Sequence, residues 1–419
     1  MELVPEKTKL LAFAPSSQST LLEIQMISNP LSLDGHKINF SSTAEHVGIL
    51  RSTDGNMPNI LDRLSSHTKA INSVLPSGMA CGHRGNPAAS LRLERLYGSP
   101  VLFSGVPALV LSNLEISVLH HQHKVDLERL QRLHQATPEC VVMFLAGSLP
   151  GTGILHLRML GLLGMIARLG PTNILHEHGR HVLLNLDRNT VSKSWFVTIR
   201  TVCQLYCVPD PLLVLQSPPT HYHWKSLTKS KVLDYWQTRF RGEAEHLDSL
   251  EFFKPSFMSL SRPHPLWTTA GSPFEVSKAV VTARMLSGRY RTDRLARHWS
   301  RSNPEGICQL PGCHGEEGNL QHILLHCSGL SRTRAKLISL WSAFLVSRPW
   351  LFPVVSHYTL GDNQIFLQFL LDPSTLPLVI SATQSNPDIL SSCFYLTRTW
   401  NFSIHLTRLK IRKQWNLNN

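Results

Sequence analysis

The stretch CQLPGCHGEEGNLQHILLHC, residues 308–327, constrains this chain more than any other. It holds three of the eight cysteines, with three histidines among them. The spacing is Cys308-x4-Cys313-x8-His322-x4-Cys327. Zn²⁺ takes four soft or borderline donors in a tetrahedron, commonly three thiolates and an imidazole. The first pair needs a tight loop that turns both sulfurs inward, and Pro311-Gly312 supply it. The second pair can sit on a short helix, although i and i+5 meet less easily than i and i+4. The pattern predicts His322 on the first turn, Cys327 at or just past the end, and Gly329 near the stop. His314 and His326 are rival ligands. His322 is preferred because it stands between apolar residues and faces the same way as Leu325. With four protein ligands the site is structural, holds one Zn²⁺ and leaves no position for a catalytic water. The competing reading is three buried or free cysteines with no metal.

Composition sets what such a site can belong to. The chain has 419 residues, 42% hydrophobic and 16% charged, which fits folded domains rather than disorder. Lys and Arg number 41 against 28 Asp and Glu, for a formal net charge of +13. That balance points to RNA and/or DNA as partner, ahead of a membrane. Val141 to Leu169 is the most apolar stretch, but Pro150, several glycines, His156 and Arg158 interrupt it. A span needs roughly 20 nearly unbroken apolar residues, so the stretch reads as core. The start shows no secretory pattern. The cysteines outside the motif are scattered, which fits an intracellular compartment, nuclear or cytoplasmic.

Along the chain, residues 1–55 read as strands and turns, with a hairpin signal at Asp34-Gly35. From Met57 the period becomes helical, with Ile60, Leu61, Leu64, Ile71, Val74 and Leu75 on one face. Ser112 and Glu115 form a capping box, and Ile116, Leu119, Leu127 and Leu130 mark a buried stripe behind it. Residues 154–169 are apolar almost all round, which predicts a central core helix. The expected divisions are 1–55, a helical domain over 56–170, a helical connector over 171–273 that includes HYHWKSLTKSKVLDYWQTRFR, and a basic module over 274–419. The fold class expected is α+β, mostly α.

Basic segments flank the cysteine motif. Upstream lie Arg284, Arg289, Arg291, Arg294, Arg297 and Arg301, with Tyr290 and Trp299 interleaved. Downstream come Arg332, Arg334 and Lys336. The last segment carries Arg398, Arg408, Lys410, Arg412 and Lys413, and no acid follows Asp388. Guanidinium forks pair with phosphate and aromatic rings stack on unpaired bases, so these residues are the candidate nucleic-acid contacts. For any one segment, a solvated helix face is the plainer reading. Enzyme signatures fail. HEHGRH has Arg180 where a zincin needs its second histidine, so it reads as a polar helix or loop. AGSLPG is no nucleophile elbow. There is no phosphate-cradling glycine loop, and no two aspartates are adjacent. No small-molecule substrate is expected.

The order EKTKLLAF, EHVGILRS, LYGSPVLFSGVPALVLSNLE, TPECVVMFLAGSLPGTGILHLRML, ARMLSGRYRTDRLARHW and the Cys/His knuckle resembles the C-terminal part of a non-LTR (LINE-type) retrotransposon reverse transcriptase. The likeness rests on many weak motifs in sequence and covers nearly the whole chain. It implies that 1–55 is a remnant of a polymerase palm, with EHVGI similar to the strand closing it. It implies a thumb over 56–170 and a zinc knuckle after it. The family aligns its substrates with two metal ions on palm carboxylates that include an Asp-Asp turn. This chain lacks that turn, so no catalytic residue carries over. The resemblance implies descent from an RNA-directed DNA polymerase, inactive alone. The alternatives are a host protein reusing the knuckle to bind nucleic acid, and a piece of a complete polymerase.

Overall fold

The computed structural model describes residues 9–10, 32–33, 36–37, 39–46, 49–53, 55–74, 85–185, 194–296, 305–313 and 315–418. The strands are β1 (Lys9–Leu10), β2 (Ser32–Leu33), β3 (His36–Lys37), β4 (Asn39–Phe40), β5 (Thr43–His46) and β6 (Ile49–Ser52). Helices α1 (Met57–Val74), α2 (Pro87–Leu93), α3 (Ser99–Leu102), α4 (Asn113–Gln131), α5 (Glu139–Ala146), α6 (Gly151–Arg168), α7 (Ile174–Asn185), α8 (Trp195–Leu205), α9 (Pro211–Gln216) and α10 (His221–Glu245) follow. The remainder are α11 (Pro265–Thr268), α12 (Pro273–Leu286), α13 (Asp293–Ala296), α14 (Ser331–Val346), α15 (Phe352–Thr359), α16 (Asn363–Leu371), α17 (Pro377–Ser385) and α18 (Asp388–Asn418). The class is mostly α with short strands near the N-terminus, as the periodicities predict.

β2 and β3 pair antiparallel, Ser32 opposite Lys37 and Leu33 opposite His36. That register leaves two residues between the strands, as a hairpin at Asp34-Gly35 requires; positions 34 and 35 lie outside the described residues. β5 and β6 also pair antiparallel, His46 opposite Ile49. Glu45 and His46 of EHVGI thus end β5 and its Ile49 opens β6; Val47 and Gly48 lie outside the described residues. β1 pairs with β4 in parallel.

Local signals hold where the partner is close in sequence. The Ser112 amide donates to Glu115 Oε2 at 2.7 Å, and the Glu115 amide to Ser112 Oγ at 3.3 Å, so the capping box starts α4. Its stripe is only partly as expected: Leu119, Leu127 and Leu130 are buried, while Ile116 is half-buried. On α1 the inner face is Ile60, His67 and Ile71, whereas Leu61 is 56% exposed. His67 takes the interior place because its Nδ1 lies 3.0 Å from the Gly98 carbonyl, a polar partner that makes burial tolerable. α6 is not central all round, since Met165 is 51% exposed. The short α5 is the enclosed one, with every residue from Cys140 to Ala146 buried.

The chain packs as two compact units. One comprises Met1–Val74, Leu93–His123 and Pro150–Asp234; the other comprises Leu75–Arg92, Lys124–Leu149 and Tyr235–Asn419. In the first, α10 meets α6 where Gly164 leaves room. A Cβ there would stand 2.2 Å from Trp224 Cδ1, and the Trp224 indole donates to the Leu160 carbonyl at 2.7 Å. HEHGRH lies on α7, and its His176 is buried with Nε2 3.0 Å from the Leu215 carbonyl. In the second unit, α18 packs against α12, α14, α16 and α17. Asn401 on α18 donates to the Leu370 carbonyl and to Thr282, joining three helices. Among the described residues no single helix is long and apolar enough to cross a membrane.

Candidate metal centre

The knuckle begins with a loop closed on itself. Ile307 bridges to Glu317 in antiparallel fashion, and the Cys308 amide donates to the Glu316 carbonyl at 2.8 Å. Gly312, at φ +82°, turns the chain so that the Cys313 amide returns to the Leu310 carbonyl at 3.2 Å. Both sulfurs then face inward. Asn319 Oδ1 accepts from the His322 amide at 2.8 Å and starts the next turn. Residues His322–His326 wind as a single π-helical turn, and the Cys327 amide donates to the His322 carbonyl. This turn removes the awkwardness of an i, i+5 pair. With i→i+5 hydrogen bonding, residues five apart return to one face, so His322 and Cys327 come together. As the spacing predicts, His322 opens the turn and Cys327 stands just past it.

One donor atom from each of Cys308, Cys313, His322 and Cys327 lies within 4.8 Å of all the others. Sγ of Cys308 and Cys327 are 3.9 Å apart, and Sγ of Cys313 and Cys327 are 3.4 Å apart. His322 Nε2 lies 3.5 Å from Cys313 Sγ. Sulfurs about 2.3 Å from a tetrahedral Zn²⁺ stand about 3.8 Å from each other, so the cage has the right size. The separations exceed a disulfide bond, about 2.05 Å, by far. Cys308, His322 and Cys327 are buried, and Cys313 is half-exposed. His326 is exposed and outside the cluster, which favours His322; His314 lies outside the described residues.

The electrostatics fit a cation. The hydrogen bond from the Cys327 thiol pulls Cys308 down to about 5 against the opposing effect of burial, and His322 helps. Cys327 is pushed far up, first by that bond to Cys308, then by burial and by the Cys313 sulfur. Three crowded sulfurs thus share protons among themselves, and a divalent ion would replace those protons and let all three ionise. Glu316 was not read from the sequence. Its Oε2 is 2.5 Å from His322 Nδ1, which fixes the Nδ1–H tautomer and aims Nε2 at the sulfurs. Arg334 donates to the Cys327 carbonyl at 2.6 Å, and Ser328 Oγ lies 3.2 Å from Cys313 Sγ. An acid six residues before the histidine was the available signal for Glu316.

The knuckle is tied to the helices of its unit. Gly318 accepts at its carbonyl from the amides of Asp293 and Arg294. A Cβ on Gly318 would stand 2.5 Å from Asp293 Cβ, so glycine permits this approach. Asp293 in turn pairs with Arg408 at 3.3 Å and with Arg412.

The basic residues divide by what they already hold. Arg408 is 3% exposed, and it also donates to the Arg291 carbonyl at 2.6 Å. Arg284 donates twice to the Arg132 carbonyl, at 3.0 and 2.8 Å. Arg294 pairs with Glu317 at 3.2 Å. Arg398, counted with the basic tail, is 1% exposed and donates to the carbonyls of Phe394, Leu266 and Thr269. Arg291, Arg332, Lys336, Lys410 and Lys413 are exposed, and Arg289 is half-buried. Arg297, Arg301 and Trp299 lie outside the described residues. Tyr290 is not a free stacking face: it is 8% exposed, with its hydroxyl 3.0 Å from His405 Nδ1.

No family model, curated protein or solved structure matches the chain.

Proposed function

We propose that this chain binds RNA or DNA through a zinc-pinned knuckle and the exposed cations around it. The observation that carries this reading is the closed set Cys308, Cys313, His322 and Cys327, with all four donor atoms within 4.8 Å, in a chain of net charge +13. A four-ligand site supplies folding free energy and no chemistry. Phosphate contacts fall to Arg291, Arg332, Lys336, Lys410 and Lys413, because a guanidinium or ammonium in water can exchange counterions for phosphates. Arg408 and Arg412 act one step behind, by holding Asp293 and so the knuckle base. In this reading the chain descends from a LINE-type reverse transcriptase, with 1–55 from the palm and 56–170 from the thumb. The absence of adjacent aspartates supports binding without nucleotide transfer. Metal analysis of the purified chain should give about one zinc per chain, and a fluorescent oligonucleotide should bind with strong salt dependence. A chain that holds no zinc, or that incorporates nucleotides unaided, would overturn the reading.

A further inference from the structure

Helix α10 carries a surface that the knuckle does not explain. It begins at His221 after Pro218-Pro219-Thr220, and its first turn holds no acid. Thr220 Oγ1 caps it by accepting from the His223 amide at 3.4 Å. Trp224, Thr228 and Val232 form the buried side. At 100° per residue, Tyr222, Lys225 and Lys229 fall within about 60° of one another, on the flank of that buried side. Tyr222 is 83% exposed and makes no hydrogen bond or ring contact among the described residues. Lys225 and Lys229 are exposed and form no ion pair among the described residues. Asp234, the first acid on the helix, accepts from Ser230 at 3.2 Å.

We propose that the Tyr222–Lys225–Lys229 stripe of α10 is a contact for single-stranded nucleic acid, separate from the knuckle. A tyrosine left so open places a flat, sparingly soluble ring in water, and a base can cover it only if that base is unpaired. The lysines are four residues and so about 6 Å apart along the axis, close to two nucleotide steps of about 3.4 Å. The uncompensated positive end of the helix dipole lies at the tyrosine. A duplex would meet the lysines but leave the ring unstacked.

The inference extends the proposed function and is tested apart from it. The full-length chain is titrated into fluorescein-labelled oligo(dT) and into a duplex, and anisotropy is followed over a salt series. Tyr222→Ala should weaken oligo(dT) binding roughly 5- to 150-fold, hardly change duplex binding, and be rescued by Tyr222→Phe. Lys225→Ala with Lys229→Ala should lower the salt slope on oligo(dT) by about 1.4. All these positions are exposed, so unchanged circular dichroism is the expected control. Unchanged oligo(dT) binding by both variants, with binding still lost in Cys308→Ser, overturns the stripe and leaves the knuckle reading standing. The reverse pattern overturns the knuckle reading instead. Equal loss on single strand and duplex, or a stripe that docks phosphatidylserine vesicles in place of oligo(dT), also overturns the proposal.

Discussion

At the scale of single residues, Glu316 and His156 carry the sharpest consequences. Glu316 holds His322 by its Nδ1. Glu316→Gln should lower zinc affinity about 10- to 100-fold without changing the ligand count, measured by competition with a chromophoric chelator. His322→Cys should keep zinc, whereas Cys327→Ser should lose it. His156 is a different case. Burial lowers it from 6.5 to about 4, and its Nδ1 lies 2.9 Å from the Tyr206 hydroxyl. Above about pH 6.5 the ring is neutral whether folded or not. As pH falls toward about 4 the unfolded chain takes up the proton first, so stability is lost across that window by at most about 1.4 kcal/mol per pH unit. Hydrogen-exchange protection along Gly151–Arg168, taken relative to the intrinsic amide rate at each pH, should fall as pH drops through that window, and His156→Phe should flatten the trend. Constant protection across the window would contradict a buried neutral imidazole.

At the scale of elements, what was legible depended on how far away the partner is. The Ser112–Glu115 box and the ligand order of the knuckle are local, and both stand where the sequence put them. The i, i+5 pair looked awkward because an α-turn was assumed; the π-turn over His322–His326 is its solution, and nothing in the composition marks it. Leu61 was placed on the inner face and His67 was not read there, because periodicity cannot know that the Gly98 carbonyl waits for an imidazole. The tail helix read as a basic surface, yet Arg398 caps backbone carbonyls in the core. Gly164 looked like a break in an apolar run and is a packing requirement. Gly164→Ala should cost about 1–3 kcal/mol in denaturant unfolding, from the clash with the Trp224 ring. A neutral substitution would mean that α6 and α10 do not approach so closely.

At the scale of the whole molecule, the two units each draw on segments far apart in sequence, which no local signal reports. The central claim is that the knuckle is metal-pinned and that the pinned form holds nucleic acid. If so, the knuckle's share of affinity belongs to the zinc-loaded chain, because without zinc the loop around Gly312 and the turn at His322 lose their common anchor. Salt should act on that affinity as counterion release requires, with a slope of roughly −0.7 per phosphate contact on single strands. Chelator should also lower the melting temperature of the unit holding Tyr235–Asn419 before that of the other, as seen in hydrogen exchange. The most direct measurement is oligonucleotide affinity of one preparation, zinc-loaded, stripped with chelator, and reloaded. The account predicts at least about tenfold weaker binding on stripping and full recovery on reloading; equal affinity in all three states would contradict it.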